Sequence, residues 1–469
     1  MPESRNRLLP RKDNALFKRQ SSYRSSGRRS SSGVSILVML IVIALAAGGA
    51  YFLMRDLTGP EVSASVKSGG RLGLAQPVEV TVGDKSGVQA VTVTVKRGTQ
   101  SMKVLEQKFP TLEPQRKAVF DLKETRLPEG AFELEIKASD GSYAGFGSGN
   151  VSTLNIPLVL DSKAPRIAVK TVPPAVHRGG SAVIVYTVNE EVSATGVRIG
   201  KLFFPGYRQD NGSYICLFPF PVTMTVDAYQ PDIMARDMAG NTTSSRLLVR
   251  ALDRKYRADT LNVPENFLRQ KANELAELCP EEDSPLAQYL CSNNKVRASN
   301  DATLIAVAAD PANNTPRFLW DGAFRRLPRS AVKANFGDFR TYVDGARQKI
   351  DEQTHMGMDF ASVAKADIPA SQSGRVVWVD YLGIHGHMVL IDHGLGLMTQ
   401  YSHLTDYAVK VGDEVKAGQT IGRTGVSGLA GGDHLHFGVL VGGVPVQPLE
   451  WLDSSWVKNN ITSRLNTPL

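Results

Sequence analysis

The 469-residue sequence predicts a multidomain, mainly β protein with one N-terminal transmembrane helix, on three observations. No residue from Val34 to Met54 is charged. Between about Gly59 and Arg250, short runs of alternating branched and polar residues recur, separated by Gly and Pro turns. Seven of the eight histidines fall after residue 350, in a C-terminal region again composed of short β runs. The length allows three or four domains.

The N-terminal tail, residues 1–33, holds nine Lys and Arg against Glu3 and Asp13, and so carries much of the net charge of +8. Its serines and scarcity of apolar side chains leave nothing to bury, and disorder is expected. Such a tail alone suits nucleic acid, but the apolar segment after it, residues 34–54, points to a membrane and excludes a nucleic-acid partner. That segment is long enough to cross a bilayer as a helix. Positive charge on its N-terminal side puts the tail in the cytoplasm and everything after Arg55 outside. A cleaved signal peptide is the competing reading, with Ala44-Leu45-Ala46 as the small-residue site. The preceding tail is too long for an ordinary signal. A single-pass anchor in the cytoplasmic (inner) membrane follows, with the remaining domains periplasmic or otherwise extracytoplasmic.

The first β module, residues 59–164, shows the two-residue alternation in Pro77–Val82, Val91–Val95 and Ala131–Ile136. Asp161-Ser162-Lys163-Ala164-Pro165 reads as a linker. The second module, residues 165–250, contains Ser181–Val188 and ends in Ala235-Arg236-Asp237-Met238-Ala239-Gly240-Asn241. Ala138-Ser139-Asp140-Gly141 is a shorter echo of that ending. The pattern resembles the Ig-like modules of bacterial surface proteins, which implies two β-sandwiches. Neither carries a catalytic constellation, so spacer or docking surface is the expected role. Residues 251–314 turn helical: Pro264 opens a helix, and Phe267, Leu268, Leu275 and Leu278 fall near helical spacing. Outside the cytoplasm Cys279 and Cys291 are expected to pair, with a stabilisation of about 3 kcal/mol. Cys216 is left as a buried thiol, and no cysteine metal site is expected.

In the last unit, residues 318–455, three stretches carry the chemistry: Thr354-His355-Met356-Gly357-Met358-Asp359, Gln400-Tyr401-Ser402-His403-Leu404 and Gly431-Gly432-Asp433-His434-Leu435-His436-Phe437. Residues i and i+2 of a strand share a face, so His434 and His436 reach one cavity. His355 and Asp359 add an imidazole and a carboxylate. Two imidazoles, a carboxylate and a spare imidazole are what zinc needs when one position stays open for water.

These stretches resemble the signature of the lysostaphin-like, LytM-type zinc endopeptidases of bacterial cell walls: His-x-x-x-Asp with a central Gly, Tyr-x-His-Leu, and His-Leu-His after Gly-rich turns. Asn335-Phe336-Gly337 is a further similar element, and the resemblance spans about Phe318 to Leu452. It implies an all-β peptidase domain that binds one Zn²⁺ through His355, Asp359 and His436, with His403 and His434 as its two second-sphere histidines. It also implies hydrolysis of peptidoglycan peptide cross-links by zinc-activated water. One histidine takes the proton of that water and the other holds or protonates the tetrahedral intermediate; the sequence leaves their assignment open. His385, His387 and His393 match no ligand position and are expected to be structural or surface groups.

Gly428–Asp433 departs from the Ser/Thr-Gly-Pro run common in the family, and Asp433 adds a carboxylate there. Val411–Gly422 also resembles the turn of lipoyl and biotinyl carrier domains, but no Met-Lys-Met hairpin is present. Some relatives lose ligands and act only as scaffolds or activators in division and sporulation. With every ligand position filled, activity is the expectation here, against a substrate of peptidoglycan peptide stems. Residues 456–469 are set apart as a C-terminal tail.

Overall fold

The computed structural model describes residues 32–53, 56–142 and 148–465. The basic stretch through residue 31, together with Met54 and Arg55, lies outside the described residues. The expected apolar helix runs Ser32–Leu53. Its side chains from Val34 to Ala50 are all exposed, so no protein surface covers them. Among the described residues it is the one helix long and apolar enough to cross a membrane.

The first β unit is a six-stranded sheet centred on a long hairpin, Val78–Arg97 with Gln100–Phe120. Val78, Val80, Val82, Val91, Val93 and Val95 point to one face and are buried, which is what the alternating sequence dictates. Leu134, Ile136 and Leu158 from the neighbouring strands complete that core.

Two four-stranded sheets form the second unit. Val183, Val197, Ile199 and Ile233 from both sheets belong to one apolar cluster. Strand Ser181–Val188 is buried on both faces over most of its length. This explains why its sequence runs Ala-Val-Ile-Val-Tyr rather than alternating. Its outer side is covered by the C-terminal stretch, where residues 454–465 are helical and bury Val457 and Ile461. The segment set apart as a tail is therefore packed structure as far as residue 465.

Both units grip the segment that enters them by the same device. Asp140 Oδ1 accepts hydrogen bonds from the amides of Ser142 and Asn150, and Asn150 Nδ2 donates to the carbonyls of Asp56 and Thr58. Asp237 Oδ1 likewise accepts from the amides of Ala239 and Asn241, and Asn241 Nδ2 donates to the carbonyl of Asp161 at 2.7 Å. The two entering segments share an Asp-x-x-x-Pro pattern, Asp56 to Pro60 and Asp161 to Pro165. The short sequence echo is thus a repeated clasp.

The C-terminal unit is built on a ten-stranded sheet. Its central strands run in the order Met358–Ala361, Leu435–Val441, Leu397–Tyr407, His387–Asp392 and Gly374–Tyr381. It is joined to the second unit by a buried contact. Trp451 Nε1 donates to Ser181 Oγ at 3.1 Å, and buried Glu450 accepts from the Ser181 amide and pairs with Arg254 at 2.8 Å. Apolar side chains of both units form a single cluster, so the second β unit is welded to the C-terminal unit.

The connector is only partly helical. It contributes a strand, Ala258–Asn262, that pairs in parallel with Phe339–Val343 of the C-terminal unit. Four α-helices follow, the first capped by Pro264 and the last running Arg297–Ala309. Cys279 and Cys291 are disulfide-bonded and Cys216 is a buried free thiol. Non-reducing peptide mapping of the full chain should recover one bridged pair, 279 with 291; a bridged Cys216 would contradict this arrangement.

His393 lies in the core with Nδ1 donating to the Ser373 carbonyl and Nε2 facing the Thr399 hydroxyl at 2.7 Å. Burial pushes its pKa down to about 4. Between that value and the ordinary one near 6.5 the unfolded chain binds a proton that the folded ring refuses, so stability rises with pH across this window. We predict a loss of about 3 kcal/mol from this residue as pH falls from 6.5 to 4. Urea denaturation at several pH values should show it, with a shallower slope for His393→Gln.

Candidate metal centre

The site forms where two strands and one turn meet. Asp359 and His436 are direct partners across an antiparallel ladder, and Ser402 pairs with His436 on its other side. His355 sits in the turn just before Asp359's strand. Gly357 in that turn has a specific steric role: a Cβ there would stand 2.5 Å from His436 Nε2. Only glycine lets the turn close on the imidazole.

His355 Nε2, Asp359 Oδ1 and His436 Nδ1 converge, 3.0–3.1 Å from one another. His355 Nδ1 donates to the Asn335 carbonyl at 2.9 Å, which fixes the ring and turns Nε2 toward a carboxylate oxygen of Asp359 at 3.0 Å. With His436 Nδ1 these atoms form a three-sided cradle close enough for one metal ion to be shared by all three. Two nitrogens and one oxygen suit zinc. The other carboxylate oxygen of Asp359 is held by Arg340 at 3.2 Å. Burial alone would raise the Asp359 carboxyl, but His355 and His436 hold it well below the usual range. Burial also pushes His436 down to about 4, so the ring stays neutral at pH 7 and keeps a lone pair to offer.

His403 and His434 lie beside this group without joining it. Their rings are 4.8 Å apart, and the His403 ring is 5.9 Å from that of His436. His403 Nδ1 donates to the Ser427 carbonyl and His434 Nδ1 to the Gly432 carbonyl. In each ring Nε2 is the nitrogen left free of that carbonyl contact. His434 Nε2 stands 3.6 Å from Asp359 Oδ1. Burial, with His434 and His436 nearby, holds His403 well below its ordinary pKa. His403 also adopts φ +66°, a costly conformation for a non-glycine residue and one concentrated at functional sites.

Asp433 turns away from the group. Its carboxylate accepts from the Thr424 hydroxyl at 2.6 Å and from the Lys365 amide at 3.1 Å, so it braces the loop. Of the histidines expected to be structural, His393 is in the core, and His387 bonds the Tyr407 hydroxyl at 2.8 Å. His385 differs: it is buried, lines the same cavity as the metal-type group, and its ring is 6.0 Å from that of His436. Nothing in its local sequence, Leu382-Gly383-Ile384-His385, marks it for that position. The cavity, about 460 Å³, is also lined by connector residues, among them Phe267, Tyr289, Asn293, Arg297 and Asp301. The helical connector therefore forms one wall of the site.

Comparison with known proteins agrees with this geometry. The pattern of Peptidase family M23 matches residues 353–448. The chain is 34% identical over 131 residues to the peptidoglycan DD-endopeptidase ShyA of Vibrio cholerae, a match that covers 27% of this chain and 30% of that protein. It is 36% identical over 106 residues to the stage II sporulation protein Q of Bacillus subtilis, covering 22% of this chain and 35% of the relative. The chain thus spans only about a third of the length of these curated relatives. Among solved structures, the catalytic domain of the antimicrobial peptidase lysostaphin from Staphylococcus simulans is 27% identical; the match covers 28% of this chain and 98% of that domain, with a TM-score of 0.24. Residues 353–448 of this chain form a Peptidase family M23 domain.

Proposed function

We propose that the chain is a membrane-anchored zinc endopeptidase that hydrolyses peptide cross-links of peptidoglycan outside the cytoplasmic membrane. The observation that carries this is the convergence of His355 Nε2, Asp359 Oδ1 and His436 Nδ1 within 3.0–3.1 Å of one another. The family match and the wall-acting relatives named above support the substrate class. The exposed apolar helix supports the anchor. A scaffold role without chemistry, the alternative reading, is disfavoured by the complete donor set.

His355, Asp359 and His436 would hold the zinc, which supplies Lewis-acid charge for water and for a substrate carbonyl. The rest is done by side chains of the chain itself. The Asn335 carbonyl fixes the His355 tautomer and Arg340 orients Asp359. His403 and His434 line the cavity, each with Nδ1 tied to a carbonyl and Nε2 left for proton transfer. One accepts the proton of the attacking water and later delivers it to the departing amine. The other, once protonated, donates to the oxygen on which negative charge develops. Their carbonyl-bound Nδ1 atoms hold both rings in the required tautomer.

His355→Ala, Asp359→Ala and His436→Ala should lower zinc content and muropeptide release together. His403→Ala and His434→Ala should retain most zinc and lose activity by about 10²–10⁴-fold. Asp433→Asn should be milder than either class. Elemental analysis beside product release tests this; loss of zinc in His403→Ala equal to that in His355→Ala would overturn the division of roles. For the anchor, the intact protein should fractionate with membranes and resist alkaline extraction. A mature N-terminus near Gly48 would contradict an uncleaved helix.

A further inference from the structure

The loop that orients His403 is gripped by a buried cation of the connector. His403 Nδ1 donates to the Ser427 carbonyl at 2.8 Å. The residue before Ser427, Val426, has a half-exposed side chain and so no apolar anchor of its own. Its carbonyl accepts instead from Lys271 Nζ. Lys271 lies between the connector helices Glu265–Gln270 and Ala272–Leu278, is only 8% exposed, and pairs with Glu274 at 2.8 Å. Val426 and Lys271 are 155 residues apart in sequence, so the contact exists only in the assembled fold.

The far end of the same loop is held by a second connector element. The Leu429 amide donates to the Ile384 carbonyl at 2.9 Å, and the Ile384 amide donates to Asn300 Oδ1 at 3.0 Å, on helix Arg297–Ala309. Between these points Ser427 is tied inward. Its Oγ donates to the Leu404 carbonyl at 2.8 Å and accepts from the His387 amide at 2.9 Å. His403 thus takes its direction from a short stretch, residues 426–429, held at each end by the connector.

Stability alone does not account for the lysine. Burying an ammonium is costly, and an ion pair recovers little of that cost net. An unbranched apolar side chain would fill the same space without it. What such a side chain cannot do is hold a carbonyl. We propose that Lys271 is a positioning residue for the reaction. Through the Val426 carbonyl it fixes the Ser427 carbonyl, and thereby the direction in which His403 presents Nε2 to the cavity. This rests on the peptidase reading above and adds to it a requirement for the connector.

The test uses the full chain in detergent, zinc-loaded, and a soluble cross-linked muropeptide as substrate. Cleavage, zinc content, thermal midpoint and amide hydrogen exchange are read together. Lys271→Met keeps the apolar stem and removes the donor. It should lower kcat by about 10–100-fold with KM and zinc content unchanged, and leave the thermal midpoint level or raise it. Exchange should quicken at the Leu429 amide and not in the connector helices. Lys271→Arg, which keeps a donor, should recover part of kcat. Glu274→Gln, which leaves the Val426 contact in place, should stay near native. Lys271→Gln, shorter and still polar, carries the test if Lys271→Met does not fold. Native kcat in Lys271→Met overturns the proposal. So does a loss of kcat that comes with a fallen midpoint and quickened exchange throughout the connector, which marks a merely structural lysine. A native chain that cleaves no muropeptide sinks the peptidase reading instead. Exchange then decides the grip by itself, upheld by a response confined to residues 426–429 and overturned by none.

Discussion

The C-terminal unit is arranged around a buried carboxylate. Asp359 Oδ1 stands 3.0 Å from a ring nitrogen of both His355 and His436, and the far nitrogen of His355 is tied to the Asn335 carbonyl. A buried carboxylate is destabilising unless donors or positive charge face it. The surrounding strands hold it in place. Ladder pairing fixes Asp359 against His436, the missing side chain at Gly357 admits the imidazole, and Arg340 restrains the second carboxylate oxygen. On the metal reading proposed above, a bound cation would add to these restraints, and metal affinity would then be linked to stability of this unit.

The parts legible in the sequence were those set by local spacing. The i, i+2 pair His434 and His436 required only a strand, and His355 with Asp359 only a tight turn. The half-buried strands of the first β unit were equally plain, because valines alternate through Val78–Val82 and Val91–Val95. What stayed hidden depends on contacts between distant segments. His385 joins the cavity through a bond to Gln400, and no local pattern encodes that. Strand Ala258–Asn262 precedes the helical region but owes its conformation to pairing with Phe339–Val343. The clasp repeat was faint because Asn150 follows Asp140 by ten residues, whereas Asn241 follows Asp237 by four.

The connector combines two roles usually given to separate parts. One edge of it adds a strand to the sheet that leads into His355, and its helices wall the cavity. The Cys279–Cys291 bridge ties two of those helices together. A segment attached at both ends in this way cannot drift from the site as a free linker would, so the shape of the cavity belongs to the connector as much as to the peptidase strands.

The repeated clasp has a mechanical consequence. On the function proposed above, a chain fixed to a bilayer at one end and engaged with a wall polymer at the other would be pulled along its length. Each β unit takes that pull where its entering segment is gripped, at Asp56–Thr58 for the first and Asp161 for the second. In the first unit the short strand Arg71–Leu72 also lies parallel to Val159–Leu160, the end of the strand that leads out toward the second unit. Parallel strands drawn apart lengthwise load their hydrogen bonds together instead of opening them one by one. The linkers between units are thus seated struts rather than slack tethers, and under such a load they would resist extension.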